Sequence, residues 1–337
     1  MQTTLTQLIE HRSLSTQKAS EVIHGIYEGK FSEPEIVGLM VSLQTRSLTL
    51  EEIRGFREAL LALAIKPEIN GTHAIDLCGT GGDGKNTFNI STTTAFVLAS
   101  LGYQVIKHGN YGVSSLCGSS NVLEQLGVRF SDSSEILNKQ LEKFGICFLH
   151  APLFHPVMKK VAPIRKALGI PTFFNIMGPL VNPVQPAYQL SGTFSLELAR
   201  IYHHLLAPGR KNYAVLYSLD GYDEISLTGD TRIFSKTGDQ VLSASSLGAE
   251  KVHHTAIHGG NSVDEAAEIM RNILQGKGTP AQNKVIAANT AQAIITMEPA
   301  VKLKSAFEHV LSHLESGAAY PHFRSFIHFQ KTPSCIS

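Results

Sequence analysis

The stretch "AIDLCGTGGDGKNTFNISTTTAF", Ala74 to Phe96, decides the fold class. Its first residues are a short apolar run that stops at a glycine, as a buried strand does. Gly79, Gly81, Gly82 and Gly84 follow within six residues, with Asp83 among them, and the hydroxyl run Ser91-Thr92-Thr93-Thr94 opens a helix expected over residues 91–101. Strand, glycine turn and helix N-terminus in succession direct free backbone N–H groups toward an anion. The same glycines also suit a tight turn that holds no ligand. The order G-T-G-G-D-G is neither a Walker loop nor a dinucleotide fingerprint.

Reading outward, "YQVIKHG" (103–109) and "ICFLH" (146–150) are further strands, with helices expected around 121–126 and 135–144. "YAVLYS" (213–218) and "EISLTG" (224–229) also read as strands, and "TRIFSKTGDQVLSAS" as an antiparallel pair around Thr237-Gly238-Asp239. Strands alternating with helices predict a largely parallel sheet. The first seventy residues read instead as four short helices. Ser32 with Pro34 and Thr49 with Glu52 mark two of their starts. The fold class is therefore α/β: a small all-helical N-terminal domain and a larger α/β domain with a mostly parallel central sheet.

Five prolines between Pro163 and Pro186 make that stretch a helical and looped excursion that returns to the first domain. The expected division is 1–70 with a return segment near 163–186, then 71–162 with 187–320, then a tail, 321–337. Ser262 and Glu265 cap a late helix, and helix is expected to about Gly317. "PHFRSFIHFQKTPSCIS" shows no period and reads as a loosely held end.

A chain of 337 residues, 43% hydrophobic and 17% charged, is globular. Its net charge of +1 lacks the basic excess of a nucleic-acid binder. No apolar run reaches the length of roughly 18 residues that a membrane span needs. "MQTTLTQLIEHRS" lacks the apolar segment of a signal peptide, so a cytoplasmic location is expected. The four cysteines form no C-x-x-C pair and read as reduced, buried thiols.

Two more segments carry chemistry. "KHGNYGVSSLCGSS" (107–120) ends the second strand and combines a cation, glycines, an amide and hydroxyls. In a parallel sheet it converges with the first glycine loop on one crevice, where the two would clasp an extended phosphate. Asp223 and Glu224 are adjacent acids on a loop, a pattern that suits magnesium beside phosphate oxygens. Taken singly, Lys107 reads rather as a surface lysine, the acid pair as solvated charge, and Arg165 as a helix-surface arginine.

"GTGGD" (79–83), "NIST" (89–92), "KHGN" with "SS" (107–115), "MGPLVNP" (177–183) and the "DE" pair (223–224), in that order and spacing, resemble the anthranilate phosphoribosyltransferase family over nearly the whole chain. The resemblance implies transfer of the phosphoribosyl group of 5-phosphoribosyl 1-diphosphate to the amine of anthranilate, with release of diphosphate, early in tryptophan synthesis. It implies a fold like that of the pyrimidine nucleoside phosphorylases, an active site between the domains, and a homodimer joined through the helical domains. Carried over, Gly79, Gly82, Asp83, Thr87, Asn89, Ile90, Ser91 and Thr92 line the diphosphate and ribose. Lys107, His108, Gly109, Asn110, Tyr111, Gly112, Val113, Ser114, Ser115 and Ser119 complete that pocket. Gly79, Asn110 and Arg165 meet anthranilate. Ser91, Asp223 and Glu224 hold magnesium, about two ions per subunit by the resemblance. Tyr111-Gly112 departs from the arginine-alanine found in many relatives and removes one cation from the loop. No general base is implied; His108 is a candidate by location. The rival readings are a pyrimidine nucleoside phosphorylase-like enzyme and a non-catalytic paralogue that binds nucleic acid. The intact acid pair and the near-zero net charge count against the second.

Overall fold

The computed structural model describes residues 1–71, 73–112 and 117–331. Four helices lead: α1 (Gln2–Ile9), α2 (Thr16–Glu28), α3 (Glu33–Gln44) and α4 (Leu50–Ala62). The capping box expected at Thr49 is present. The Glu52 N–H donates to Thr49 Oγ1 at 3.3 Å, and the Thr49 N–H to Glu52 Oε2 at 2.9 Å. Glu52 is wholly buried, which is tolerable because Arg46 Nη1 donates to it at 2.9 Å and the Leu14 N–H at 2.9 Å.

The α/β part runs β1 (Ile75–Leu77), α5 (Ile90–Ser100), β2 (Val105–Gly109), α6 (Ser119–Gln125), α7 (Ser134–Phe144), β3 (Ile146–His150), α8 (Ala151–Phe154), α9 (Pro156–Leu168), β4 (Tyr188–Gly192), α10 (Leu196–Leu206) and β5 (Asn212–Ser218). The hairpin β6 (Thr231–Ser235) and β7 (Gly238–Leu242) follows, then α11 (Val263–Leu274), α12 (Pro280–Met297), α13 (Leu303–Glu315) and α14 (Ala319–Phe329). The described strands form one sheet in the order β3-β2-β1-β4-β5-β6-β7. Its first five strands are parallel, and the hairpin adds the antiparallel edge that its sequence foretells. From β1 the chain crosses to β2 on one side, whereas β4 lies on the other. The strand order therefore reverses between β1 and β4, the place where α/β sheets open a ligand crevice beyond their carboxyl ends.

One sheet face is covered by α5 and α11 to α14 in the largest apolar cluster. A second cluster joins the four N-terminal helices to Val157, Val161 and Ile164 of α9, Phe173, Phe174 and Leu180 beyond it, α10, and Tyr213 and Val215 of β5. The proline-rich excursion thus packs with the helical start and the sheet at once.

Three expectations need correction. "EISLTG" is no strand: Ile225 and Leu227 are buried, but the segment is a bend held by Asn289 rather than by a neighbouring strand. "YQLSG" (188–192), unremarked in the sequence, is the fully buried strand β4. The C-terminal stretch is not loose up to Phe329, because α14 buries Phe323 and Phe326. Phe326 sits edge-on to Phe96 at 5.5 Å and to Phe144 at 5.6 Å. Residues 332–337 lie outside the described residues. Phe326→Ala should lower the unfolding free energy by about 3–5 kcal/mol. Urea denaturation checks this, and a change near zero would mean α14 is not part of the core.

Candidate active site

A cavity of about 250 Å³ opens at the switch between β1 and β4. Every described candidate lines it: Gly79, Gly82, Asp83, Thr87, Asn89, Ile90, Ser91 and Thr92 from the first loop and α5, Lys107 to Gly112 and Ser119 from the second, Arg165 from α9, and Asp223 and Glu224 after β5. Val113, Ser114 and Ser115 lie outside the described residues.

The first loop shows why glycine is needed. Gly81, Gly82 and Gly84 have φ of 61°, 78° and 68°, a region that residues with a Cβ enter at a cost. The turn aims the Gly81 N–H at Asp223 Oδ2, 2.7 Å away. Asp83 Oδ1 accepts the Lys85 N–H at 3.0 Å, while its Oδ2 is buried without a partner among the described residues.

The acid pair is built by deep anchoring of its own backbone. Ser218 Oγ donates to the Glu224 carbonyl at 2.6 Å. Asn289 of α12 accepts the Ile225 N–H at 3.1 Å and returns a bond to the Ile225 carbonyl at 2.9 Å. Asp223 and Glu224 are 7% and 9% exposed, so neither is a solvated charge. Burial, with the Asp83 charge beside it, pushes the Asp223 carboxyl up to about 7. Burial and the Asp223 charge push Glu224 up to about 8, against the pull of Lys107 and the Ser91 hydroxyl. Burial foremost, and like charge after it, thus raises both acids above the ordinary carboxyl range. No three His, Cys, Asp or Glu side chains among the described residues form a metal-holding group. A dication held here would need further oxygen ligands, and the Ser91 hydroxyl lies beside Glu224.

Lys107 is not a surface lysine. It is 2% exposed, and its Nζ donates to the Leu77 carbonyl and to Ser91 Oγ, the latter at 3.3 Å. His108 Nδ1 meets the Gly178 carbonyl at 3.0 Å, so Nδ1 carries the proton and Nε2 keeps a lone pair, buried and without a partner among the described residues. Burial lowers His108 to about 4, so it is neutral near pH 7. Arg165 is 7% exposed. It donates to Asn175 Oδ1 at 3.0 Å and lies 5.7 Å over the Phe174 ring, with its Nε unpartnered among the described residues. Burial lowers it only to about 10, which leaves the guanidinium charged.

Sequence reasoning missed His155, Met158, Phe174 and Asn175, all in the cavity wall. They come from α9 and the excursion after it, where only Arg165 and "MGPLVNP" were singled out from the sequence. Asn175 matters most, since it aims Arg165.

Compared with known proteins, residues 71–320 match the family described as Glycosyl transferase family, a/b domain, and residues 2–64 match its helical bundle domain. The chain is 51% identical to the anthranilate phosphoribosyltransferase of Christiangramia forsetii, over 96% of this chain and 98% of that one. Its structure resembles the crystal structure of anthranilate phosphoribosyltransferase from Thermus thermophilus, with a TM-score of 0.87 and 31% identity over 97% and 99% of the two chains. It also resembles the Saccharomyces cerevisiae enzyme in complex with PRPP and Mg, with a TM-score of 0.85 and 26% identity over 96% of each chain.

The acid pair makes stability depend on pH. Both carboxyls keep their protons to higher pH in the fold than in the unfolded chain, so the stability they contribute is lost as pH rises through about 7 and 8. His108 and His155, lowered by burial to about 4 and about 3, act the other way, but their contribution is complete above about 6.5. The metal-free protein should therefore lose on the order of a few degrees of Tm between pH 7 and 8.5. Magnesium should restore more of it at pH 8.5 than at pH 7. Scanning calorimetry at both pH values checks this; a flat profile insensitive to magnesium would contradict the assignment of the acids.

Proposed function

The chain belongs to the anthranilate phosphoribosyltransferase family, and from that premise we propose how its cavity moves the phosphoribosyl group of 5-phosphoribosyl 1-diphosphate onto the amine of anthranilate. The observation that carries this reading is one cavity uniting two glycine loops at a switch point, a proton-holding acid pair, and a charged guanidinium with no carboxylate partner among the described residues. The decisive experiment is loss of anthranilate fluorescence that requires both the diphosphate sugar and magnesium.

The first loop, with Thr87, Asn89, Ser91 and Thr92, receives the diphosphate at the start of α5, where unpaired N–H groups and the helix dipole favour it. Gly109, Asn110, Tyr111, Gly112 and Ser119 face it from the second loop. Ser91, Asp223 and Glu224 are the residues that would hold magnesium, about two ions per subunit. Bound there, the metal would supply positive charge against the departing diphosphate. Lys107, fixed by Leu77 and Ser91, adds a positive charge that needs no reorganisation as the bond to the ribose breaks. Arg165, oriented by Asn175, pairs bidentately with the anthranilate carboxylate, and the Phe174 face lies beside it. His108 Nε2 offers an acceptor to the amine. Since an aryl amine is neutral near pH 7, positioning rather than strong base catalysis supplies much of the rate.

The same reading takes 1–70 with the segment near 163–186 as one domain and 71–162 with 187–320 as the other. The exposed Ile9, Tyr27 and Val41 on the leading helices support a homodimer through that unit. The described cysteines are all free, in keeping with a cytoplasmic location.

Two outcomes check these points. Light scattering at micromolar concentration should give twice the mass of one chain, and a monomeric mass would contradict the dimer. Arg165→Ala should raise KM for anthranilate by the equivalent of about 2–3 kcal/mol, with little change in KM for the diphosphate sugar. Equal damage to both would make Arg165 a support of domain geometry instead.

A further inference from the structure

We infer that Asn121 is a positioning residue for phosphoribosyl diphosphate, holding the backbones of Gly112 and Gly118 together on a single side-chain oxygen; this rests on the proposed reading of the cavity. Asn121 lies in the first turn of α6, and its Oδ1 accepts the Gly112 N–H at 3.0 Å and the Gly118 N–H at 3.1 Å. The two backbones lie so close that a Cβ on Gly118 would come within 2.0 Å of the Gly112 nitrogen. Gly112 and Gly118 line the cavity and Asn121 does not, so it acts through them.

The rest of α6 supports the clamp. The Asn110 carbonyl accepts the Ser120 N–H at 3.2 Å and the Ser119 hydroxyl at 3.2 Å. Glu124 follows Asn121 by three residues and shares its helix face. Glu124 Oε1 accepts the Tyr111 hydroxyl at 2.7 Å. The Tyr111 ring stands edge-on to His150 at 4.7 Å, and His150 stacks on Phe130 at 4.5 Å. Tyr111, standing where a cation is common, thus fastens the end of β2 to α6, and Asn121 ties Gly112 to Gly118. Glycine has little of its own to limit its backbone conformation. Without the clamp, the cost of ordering these two cavity-lining glycines falls on ligand binding.

Helix capping alone would account for the Gly118 contact but not for the Gly112 contact, which leaves the helix. A capping role lowers Tm and leaves both KM values alike. The clamp raises one of them.

The test is steady-state kinetics of Asn121→Ala and Asn121→Asp for both substrates, with hydrogen exchange at the Gly112 and Gly118 amides and calorimetric binding of inorganic diphosphate with magnesium. Asn121→Ala should raise KM for phosphoribosyl diphosphate roughly tenfold, as two lost hydrogen bonds allow. KM for anthranilate should stay within about twofold, and both amides should lose protection. Asn121→Asp, whose carboxylate accepts the same two N–H groups, should restore KM and protection. Unchanged KM in Asn121→Ala alongside a lowered Tm, or failure of Asn121→Asp to restore protection, would overturn the inference. If the wild-type protein does not consume anthranilate, the parent reading fails, while exchange and diphosphate binding still decide the clamp.

Discussion

A carboxyl sealed inside a parallel sheet is costly unless its lone pairs are met. Asp76, on β1, is wholly buried. Its Oδ1 accepts the His108 N–H at 3.1 Å, and its Oδ2 accepts Asn182 Nδ2 at 3.1 Å. The same Asn182 amide donates to the Ile106 carbonyl at 3.0 Å. One side chain therefore joins the strand beneath the first glycine loop, the strand that begins the second, and the proline-rich segment from the helical side. Burial pushes its carboxyl up, and the Lys107 charge opposes that push.

Much of the site's geometry follows from that joint. Both glycine loops start at strands that Asp76 ties in register. Arg165 and Asn175 belong to the segment leading to Asn182, so the guanidinium is placed relative to those loops by the same contact. A second layer repeats the device one strand away. Gln189 of β4 bonds to the Pro179 carbonyl and to Ser191 Oγ, and Arg210 Nε donates to Gln189 Oε1 at 2.9 Å. Hydrogen-bonded networks of this kind rigidify a core. This one fixes the cavity floor from both sides of the switch point, while the residues facing the cavity stay incompletely paired.

Periodicity made the helical start, the first three strands and the hairpin legible, because local pattern and tertiary role agree there. β4 escaped notice because "YQLSG" carries glutamine and serine at buried positions, which suit a strand only once Pro179 and Arg210 are nearby to bond them. "EISLTG" misled in the opposite sense: its apolar residues are buried, yet its backbone is satisfied by Asn289, sixty-four residues later in the chain. Phe323 and Phe326 gave no period because α14 packs an aromatic cluster drawn from α5, α7 and β3. At the site, the residues next to glycine could be read because backbone chemistry is local. His155, Phe174 and Asn175 could not, because they reach the cavity by a fold-back that sequence spacing does not encode.

The charges of the cavity explain why its ligands suit one another. Burial, and after it the mutual repulsion of Asp83, Asp223 and Glu224, raises the Asp223 and Glu224 carboxyls; Lys107 opposes only part of this at Glu224, and Arg165 faces no acid among the described residues. A bare diphosphate would meet the acids as like charge. A dication alone would have to displace their protons, with few protein oxygens to complete its shell. Under the proposed reading, a dication and a diphosphate arriving together would offset these costs, the acids meeting the cation and the phosphate oxygens completing its shell. Arg165 would then remain for a carboxylate that carries no phosphate. The acids after β5 and the guanidinium on α9, which pairs with Asn175 rather than with an acid among the described residues, thus stand apart in one cavity, and that separation suits two anionic ligands bound side by side.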